Sequence, residues 1–212
     1  MLPPLIEVGA SCCISLKKSS IINRWCFFFI EKTVIIFYMK NVFHFQDNYY
    51  PFTFIDHKRI TVRAVLINDK NEVALLHLVT DDDFGHRDCY ELPGGGKKKK
   101  ESFHQGVLRE VKEETGYEGR VVTFLGKVID YYNLIHRENH NYYYLVKINK
   151  SVGKCLEEYE KEIIKESLFV DIDTAIELMN NVDDDGVGHL VKQRELPILK
   201  LAKEYMNEHF IS

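Results

Sequence analysis

The stretch that decides the fold is Gly95–Tyr117, GGKKKKESFHQGVLREVKEETGY. Ser102 is a favoured N-cap, and Gln105 three residues on completes a capping box, so a helix is expected to begin at Phe103. Val107, Leu108 and Val111 recur at helical spacing and give it an apolar stripe. Gly116 stands where a helix commonly ends on a left-handed residue. The expectation is a helix over Phe103–Thr115. It is approached through Gly94–Gly96, which together with Pro93 exclude helix just upstream.

This helix is rich in acid. Glu110, Glu113 and Glu114 stand at i, i+3 and i+4, so their carboxylates are expected on one side. Three like charges there repel, and a divalent cation reverses the sign; clustered carboxylate oxygens suit Mg²⁺ or Mn²⁺. Consecutive glycines let backbone groups come close to a ligand. Arg109 can pair with Glu101 and fix the loop against the helix. Lys97–Lys100 add positive charge near the same mouth. A metal, free backbone groups and lysines together point to a polyanionic substrate, most naturally a diphosphate.

Outward from the helix, Thr61–Ile67 and Val73–Val79 read as a hairpin around the turn cluster Asn68–Asn71. Thr80–Cys89 reads as a polar loop. Val121–Tyr132 and Tyr142–Asn149 read as strands joined by the polar loop Asn133–Asn141. Ser151–Glu166 is charged and ambiguous, Leu168–Val170 is a short strand, and Asp171 can cap a helix running to about Asn180. Leu196–His209 is expected to be a final amphipathic helix with Pro197 in its first turn.

The spacing Gly95, five residues, Glu101, seven residues, Arg109-Glu110-Val111-Lys112-Glu113-Glu114-Thr115-Gly116-Tyr117 resembles the Nudix box, G-x5-E-x7-R-E-U-x-E-E-x-G-U. Every fixed residue is present; Tyr117 replaces the usual aliphatic residue, which bears on packing and not on chemistry. Tyr90-Glu91-Leu92-Pro93-Gly94-Gly95 is similar to the aromatic-x-L-P-G-G run that leads into the box. The resemblance implies an α/β fold, an α/β/α sandwich around a mixed sheet. It implies Mg²⁺- or Mn²⁺-dependent hydrolysis of a nucleoside diphosphate linked to another moiety. Glu110, Glu113 and Glu114 would be metal ligands and catalytic carboxylates, one of them serving as base. Gly95 would offer a backbone carbonyl to the metal, and Glu101, Arg109 and Gly116 would be structural. Some members add a glutamate from a later loop, for which Glu157, Glu158, Glu160 and Glu162 are open candidates. The substrate class is open between ADP-ribose or nucleotide sugars and (oxidised) nucleoside triphosphates. A nucleotide-sensing domain that does not cleave typically lacks box glutamates, and none is missing here.

Other motifs fail on their own terms. Gly96-Lys97 is no phosphate loop, since Glu91 occupies the earlier glycine position and no Ser or Thr follows Lys97. Asn181-x-Asp183-x-Asp185-Gly186 starts like a calcium loop, but its twelfth position is Lys192 instead of a bidentate glutamate. The pairs Tyr131-Tyr132 and Tyr142–Tyr144 are expected to pack rather than stack a base.

The 212 residues, 45% hydrophobic and 28% charged, suit one folded domain and exclude collagen-like or low-complexity chains. A net charge of -4 gives no basic footprint for nucleic acid. Five cysteines, an odd number without a C-x-x-C pair, argue against a disulfide framework or a cysteine zinc site and for a cytoplasmic location. Residues 1–38 differ in composition and hold Cys12, Cys13, Cys26 and the single tryptophan, Trp25. The apolar run Trp25–Ile30 is too short for a signal peptide, and Arg24, Glu31 and Lys32 interrupt any membrane span. The expected organisation is a leader over 1–38, disordered or an upstream extension, before a domain over 39–212. A nucleotide-type small molecule is the expected partner, with no membrane and a homodimer left open.

Overall fold

β-Branched and apolar runs on both sides of the glycine stretch build a mixed sheet. The structure, a computed structural model, describes residues 24–30, 33–39, 41–182 and 186–210. Strands β1 (Arg24–Ile30) and β2 (Thr33–Met39) pair antiparallel as a separate two-stranded sheet. The rest of the expected leader lies outside the described residues, as do 183–185 of the calcium-like turn.

The main sheet contains β3 (Val42–Phe45), β4 (His57–Ile67), β5 (Val73–Asp82), β6 (Gly85–Glu91), β7 (Gly94–Gly96), β8 (Tyr117–Tyr132), β9 (Arg137–Ser151) and β10 (Ile164–Val170). Its spatial order is β10-β5-β4-β9-β8-β3, with β6 on β5 and β7 on β4. The β4–β9 and β3–β8 pairs are parallel and the others antiparallel, so the sheet is mixed as expected. The β4 and β5 strands meet at Ile67–Val73, and further along β4 the three glycines of β7 pair with Thr61–Arg63. The hairpin therefore forks, and a cleft opens between its arms.

Helix α1 (Phe103–Thr115) begins and ends as its sequence dictates. The Ser102 side chain accepts from the Gln105 amide, Gln105 completes the capping box, and Gly116 closes the helix at φ 78°. Val107 and Val111 pack on Val62, Ala64, Leu66 and Val146 on one face of the sheet. Helices α3 (Ile172–Asn180) and α4 (Gly186–His209) cover the other face, setting Met179, Ile198, Leu199 and Met206 against Val65, Ile67 and Leu75. Each such buried side chain contributes about 1.5–3 kcal/mol. Three layers result, the expected α/β/α sandwich. A short α2 (Glu158–Ile163) precedes β10.

Several local expectations are corrected. Thr80–Cys89 is not a loop: β5 and β6 continue to a turn with Asp82 opposite Gly85. Arg87–Asp82 and His86–Asp81 pairs at 2.7 and 3.1 Å tie the arms, and a hairpin tip in solvent needs no apolar face. Asn133–Asn141 is one 3-10 turn, Asn133–Ile135, followed at once by β9. Polar residues of β9 pair in register with β4 from His57–Arg137 onward. The β8 strand starts at Tyr117, directly after the helix cap. The last helix begins at Gly186, and Pro197 lies inside it. Within its first half Arg194 and Glu195 are buried charges, which break the apolar stripe by which a helix is read.

Candidate functional site

The cleft at the fork of the hairpin has a volume of about 450 Å³. The β7 glycines form one wall, and at Gly94 and Gly95 a side chain would run into β4 or α1. A Cβ on Gly94, whose φ is +148°, would lie 2.3 Å from the Val62 carbonyl oxygen, and one on Gly95 would lie 2.8 Å from Glu110 Oε1. The helix thus lies directly against β7. The Gly94 N–H donates to Glu114 Oε2 at 2.7 Å.

Arg109 fastens the loop to the helix, as its spacing from Glu101 predicts. Its Nε and Nη2 donate to the two Glu101 oxygens at 3.0 and 2.8 Å, and Nη2 also donates to the Gly96 carbonyl at 3.1 Å. This fork holds the Glu101 carboxyl down at about 2. Nη1 donates to Glu113 Oε2 at 2.8 Å and lies 2.9 Å from Glu110 Oε1.

The three box glutamates do not converge. Glu113 is turned to Arg109, while Glu110 and Glu114 face the cleft and are joined by Glu160 of α2. Carboxylate oxygens of Glu110, Glu114 and Glu160 lie within 4.8 Å of one another. Glu110 and Glu114 are buried. Burial and then the charge of Glu110 push the Glu114 carboxyl well above the usual range, against the opposing pull of Arg63 and the Gly94 amide. Burial likewise raises Glu110, although Arg109 opposes it. An oxygen-rich, charge-crowded trio of this kind has the donor set for a hard divalent cation. Of the four later glutamates left open, Glu160 is the one in the trio; Glu158 is exposed and pairs with Lys161.

Lining the cleft is a buried ion network that sequence reading missed. Arg63 Nη1 donates to Glu91 Oε2 at 3.1 Å and lies 3.2 Å from Glu195 Oε1, and Arg194 Nη2 reaches the same two acids at 3.2 and 2.8 Å. Burial would raise Glu91, but Arg63, Arg194 and Arg87 outweigh it and hold the carboxyl low. The only signal in the sequence was Glu91 itself, inside the Tyr90–Gly95 run. Of the lysine run, Lys98 lines the cleft mouth, with its Nζ 4.0 Å from Glu113, whereas Lys97 lies over the Phe103 ring. Tyr143 is fully buried and Tyr144 nearly so, as packing predicts. Cys89 is buried, and its thiol is pushed up to about 12, mainly by burial, which leaves it inert.

A family model for the NUDIX domain matches residues 57–187, more than half of the chain. The chain belongs to the NUDIX domain family. Within the family, Nudix hydrolase 6 of Arabidopsis thaliana is 37% identical over 67 residues, 32% of this chain; the match spans only 24% of that relative. A NUDIX hydrolase from Nitrosomonas europaea superposes with a TM-score of 0.54 at 17% identity, covering 72% of this chain and 90% of that one. The MutT protein from Methanosarcina mazei Go1 gives 0.50 at 21% identity, covering 70% and 95%. At these identities the structural likeness establishes the NUDIX fold. Among the described residues no helix is long and apolar enough to cross a membrane.

Proposed function

We propose that this NUDIX protein hydrolyses a phosphoric anhydride bond in a nucleoside diphosphate linked to another moiety, using Mg²⁺ or Mn²⁺ held by Glu110, Glu114 and Glu160. The observation that carries the reading is the convergence of these three carboxylates, from two helices, on one wall of the cleft. A cation bound there would neutralise phosphate oxygens and make a water acidic enough to attack at neutral pH. The protein's own part is positional. A carboxylate of the trio orients the attacking water and takes its proton. Arg109 and Glu101 hold α1 at a fixed distance from β7, so the carboxylates and the glycine backbone keep their geometry as charge moves. Gly95 packs on Glu110, which sets its backbone beside the trio. Glu113 supports this arrangement through Arg109.

Water attacks phosphorus in line and a nucleoside monophosphate leaves; no protein nucleophile takes part, consistent with the inert Cys89. A nucleotide-type small molecule in the cytoplasm is the proposed setting, supported by a buried thiol that forms no disulfide. The test is a panel of nucleoside diphosphate derivatives incubated with Mg²⁺ and scored for released monophosphate. Turnover of at least one, lost with EDTA, is expected; no turnover of any would overturn the reading.

A further inference from the structure

Two arginines in the cleft are not used by the mechanism above. The register His57–Arg137 and Arg59–Asn139 places Arg59 and Arg137 on the same face of the sheet, one rung apart. Both line the cleft. Arg63, Arg87, Arg109 and Arg194 each have a carboxylate partner. Arg59 and Arg137 have none among the described residues; the Arg137 Nε, like those of Arg63, Arg87 and Arg194, is buried without a hydrogen-bond partner. Burial and then the charge of Arg59 push the Arg137 guanidinium below its ordinary value. Two like charges brought together are costly in the free protein, and Glu110 and Asp130 offset the charges of Arg59 and Arg137 only from beyond ion-pair distance.

Arg137 is nevertheless held in place. Its guanidinium lies over the Tyr132 ring at 5.1 Å, and the Tyr132 hydroxyl accepts from Arg194 Nη1 at 3.0 Å. Arg59 reaches toward the glycine wall: a Cβ on Gly96 would lie 3.5 Å from its Nη2. Since β7 also carries Gly94, which donates to Glu114, and Gly95, which packs on Glu110, the carboxylate trio and the arginine pair are linked by a single short strand. One end of the cleft is arranged to take a cation and the other an anion.

We propose that Arg59 and Arg137 clamp a phosphate group additional to the diphosphate under attack, so that the preferred substrate is a triphosphate chain rather than a diphosphate ending in a neutral sugar. Guanidinium forks match phosphate oxygens in bidentate geometry, which favours this over a neutral hydroxylated group. The inference rests on the hydrolase reading for its substrate, but the anion site itself can be tested without turnover.

The experiment is calorimetric titration of the full chain with inorganic tripolyphosphate in EDTA, for wild type, Arg59→Gln, Arg137→Gln and the double variant. The double variant is expected to bind at least tenfold more weakly, with no fall in Tm, because a repulsion has been removed. Equal affinity in wild type and double variant would overturn the clamp. With Mg²⁺, the KM for ATP is expected to rise at least tenfold more than the KM for ADP-ribose. If both rise equally while turnover persists, the clamp falls and the hydrolase reading stands. If no nucleotide is hydrolysed but tripolyphosphate binding still depends on the arginines, the reverse holds. Binding of ATP but not tripolyphosphate in EDTA would show that the nucleoside, not the phosphate chain, is recognised, and would also overturn the clamp. Should the double variant fail to fold, Arg137→Lys is read in the same titration. It keeps the charge and loses the fork, so several-fold weaker binding is expected and unchanged affinity overturns the proposal.

Discussion

Glu195, in the middle of the last helix, accepts the backbone N–H of Leu92 at 2.7 Å through its Oε2. The two residues are 103 positions apart. Arg63 donates to the Leu92 carbonyl at 3.0 Å, so both backbone polar groups of Leu92 are held by the buried ion network. Pro93 and the glycines of β7 follow immediately, and the network thereby fixes where the glycine wall starts. Glu195→Leu would leave Arg63 and Arg194 short of a counter-charge and the Leu92 amide unpaired. Removing one partner of a buried pair costs about 3–5 kcal/mol. Urea unfolding should show a loss of this size; a change under about 1 kcal/mol would mean the network is not the anchor described.

Gly95→Ala tests the contact between β7 and α1. The new Cβ would lie 2.8 Å from Glu110 Oε1 and 2.9 Å from its Cδ, so the carboxyl must move. The backbone of β7 can accept alanine as an extended strand, and the loss should fall on activity. A fall of at least tenfold in kcat is expected, about 1.4 kcal/mol of barrier. Full activity in the alanine variant would show that the Glu110 position is not critical.

The helix was legible because its signals are local: a capping box, a 3.6-residue stripe and a terminal glycine all lie within Gly95–Tyr117. The Glu101–Arg109 pair was legible for the same reason. The convergence of Glu110 and Glu114 with Glu160 was not, because Glu160 reaches the trio only through α2 and the β10–β5 pairing. Local spacing put Glu113 with its neighbours, yet an arginine four residues earlier captured it. Arg194 and Glu195 fit a solvated helix face equally well, and only the packing of α4 on β6 and β8 buries them. The start of β9, Arg137–Asn141, lacks the apolar alternation that marks a strand because Arg137 lines the cleft and Asn139 and Asn141 are buried polar residues, Asn141 bonded to Thr61 and Asp130.

Metal should bind to the trio and raise stability by mass action. Millimolar Mg²⁺ is expected to raise Tm in the wild type and to have little effect in Glu114→Gln or Glu160→Gln. Both variants should lose at least tenfold in kcat while still folding. Glu158→Gln, at an exposed position two residues away, should behave as wild type. If Glu158 and Glu160 variants are indistinguishable, the third carboxylate of the site is not Glu160.

The Glu101–Arg109 fork predicts a particular acid sensitivity. The Glu101 carboxyl is depressed from 4.5 to about 2 in the folded chain. A depressed carboxyl contributes stability that is fully present above its unfolded value and is lost as pH falls through the folded one. Between about pH 4.5 and 2 the unfolded state takes up the proton first, so stability declines across this window. Glu101→Gln should be less stable at neutral pH and should lose this part of the decline. Parallel stability–pH curves for the two proteins over that range would remove Glu101 as the cause.

Deleting residues 1–38 is expected to leave folding and hydrolysis intact. The eight-stranded sheet is complete from Val42 onward, and its β3 strand pairs with β8 through Val42–Lys127 to Phe45–Asp130. Asn41 contributes to that edge directly: its carbonyl accepts the Lys127 amide at 2.9 Å, and its side chain donates to the Leu125 carbonyl at 3.0 Å. The β1–β2 sheet pairs with itself and shares no strand with the main sheet among the described residues. A chain starting at Met39 retains every residue of the cleft, the buried network and both covering helical layers. Its Tm should match the full chain within about 2 °C, a difference of about 0.5–1 kcal/mol for a domain of this size, and its kcat should agree within twofold. A further cut to Val42 should cost more, since it removes both Asn41 bonds and exposes the edge of β8. If the cut at Met39 already unfolds the protein or abolishes turnover, the first 38 residues pack on the catalytic layer and the domain boundary lies further upstream.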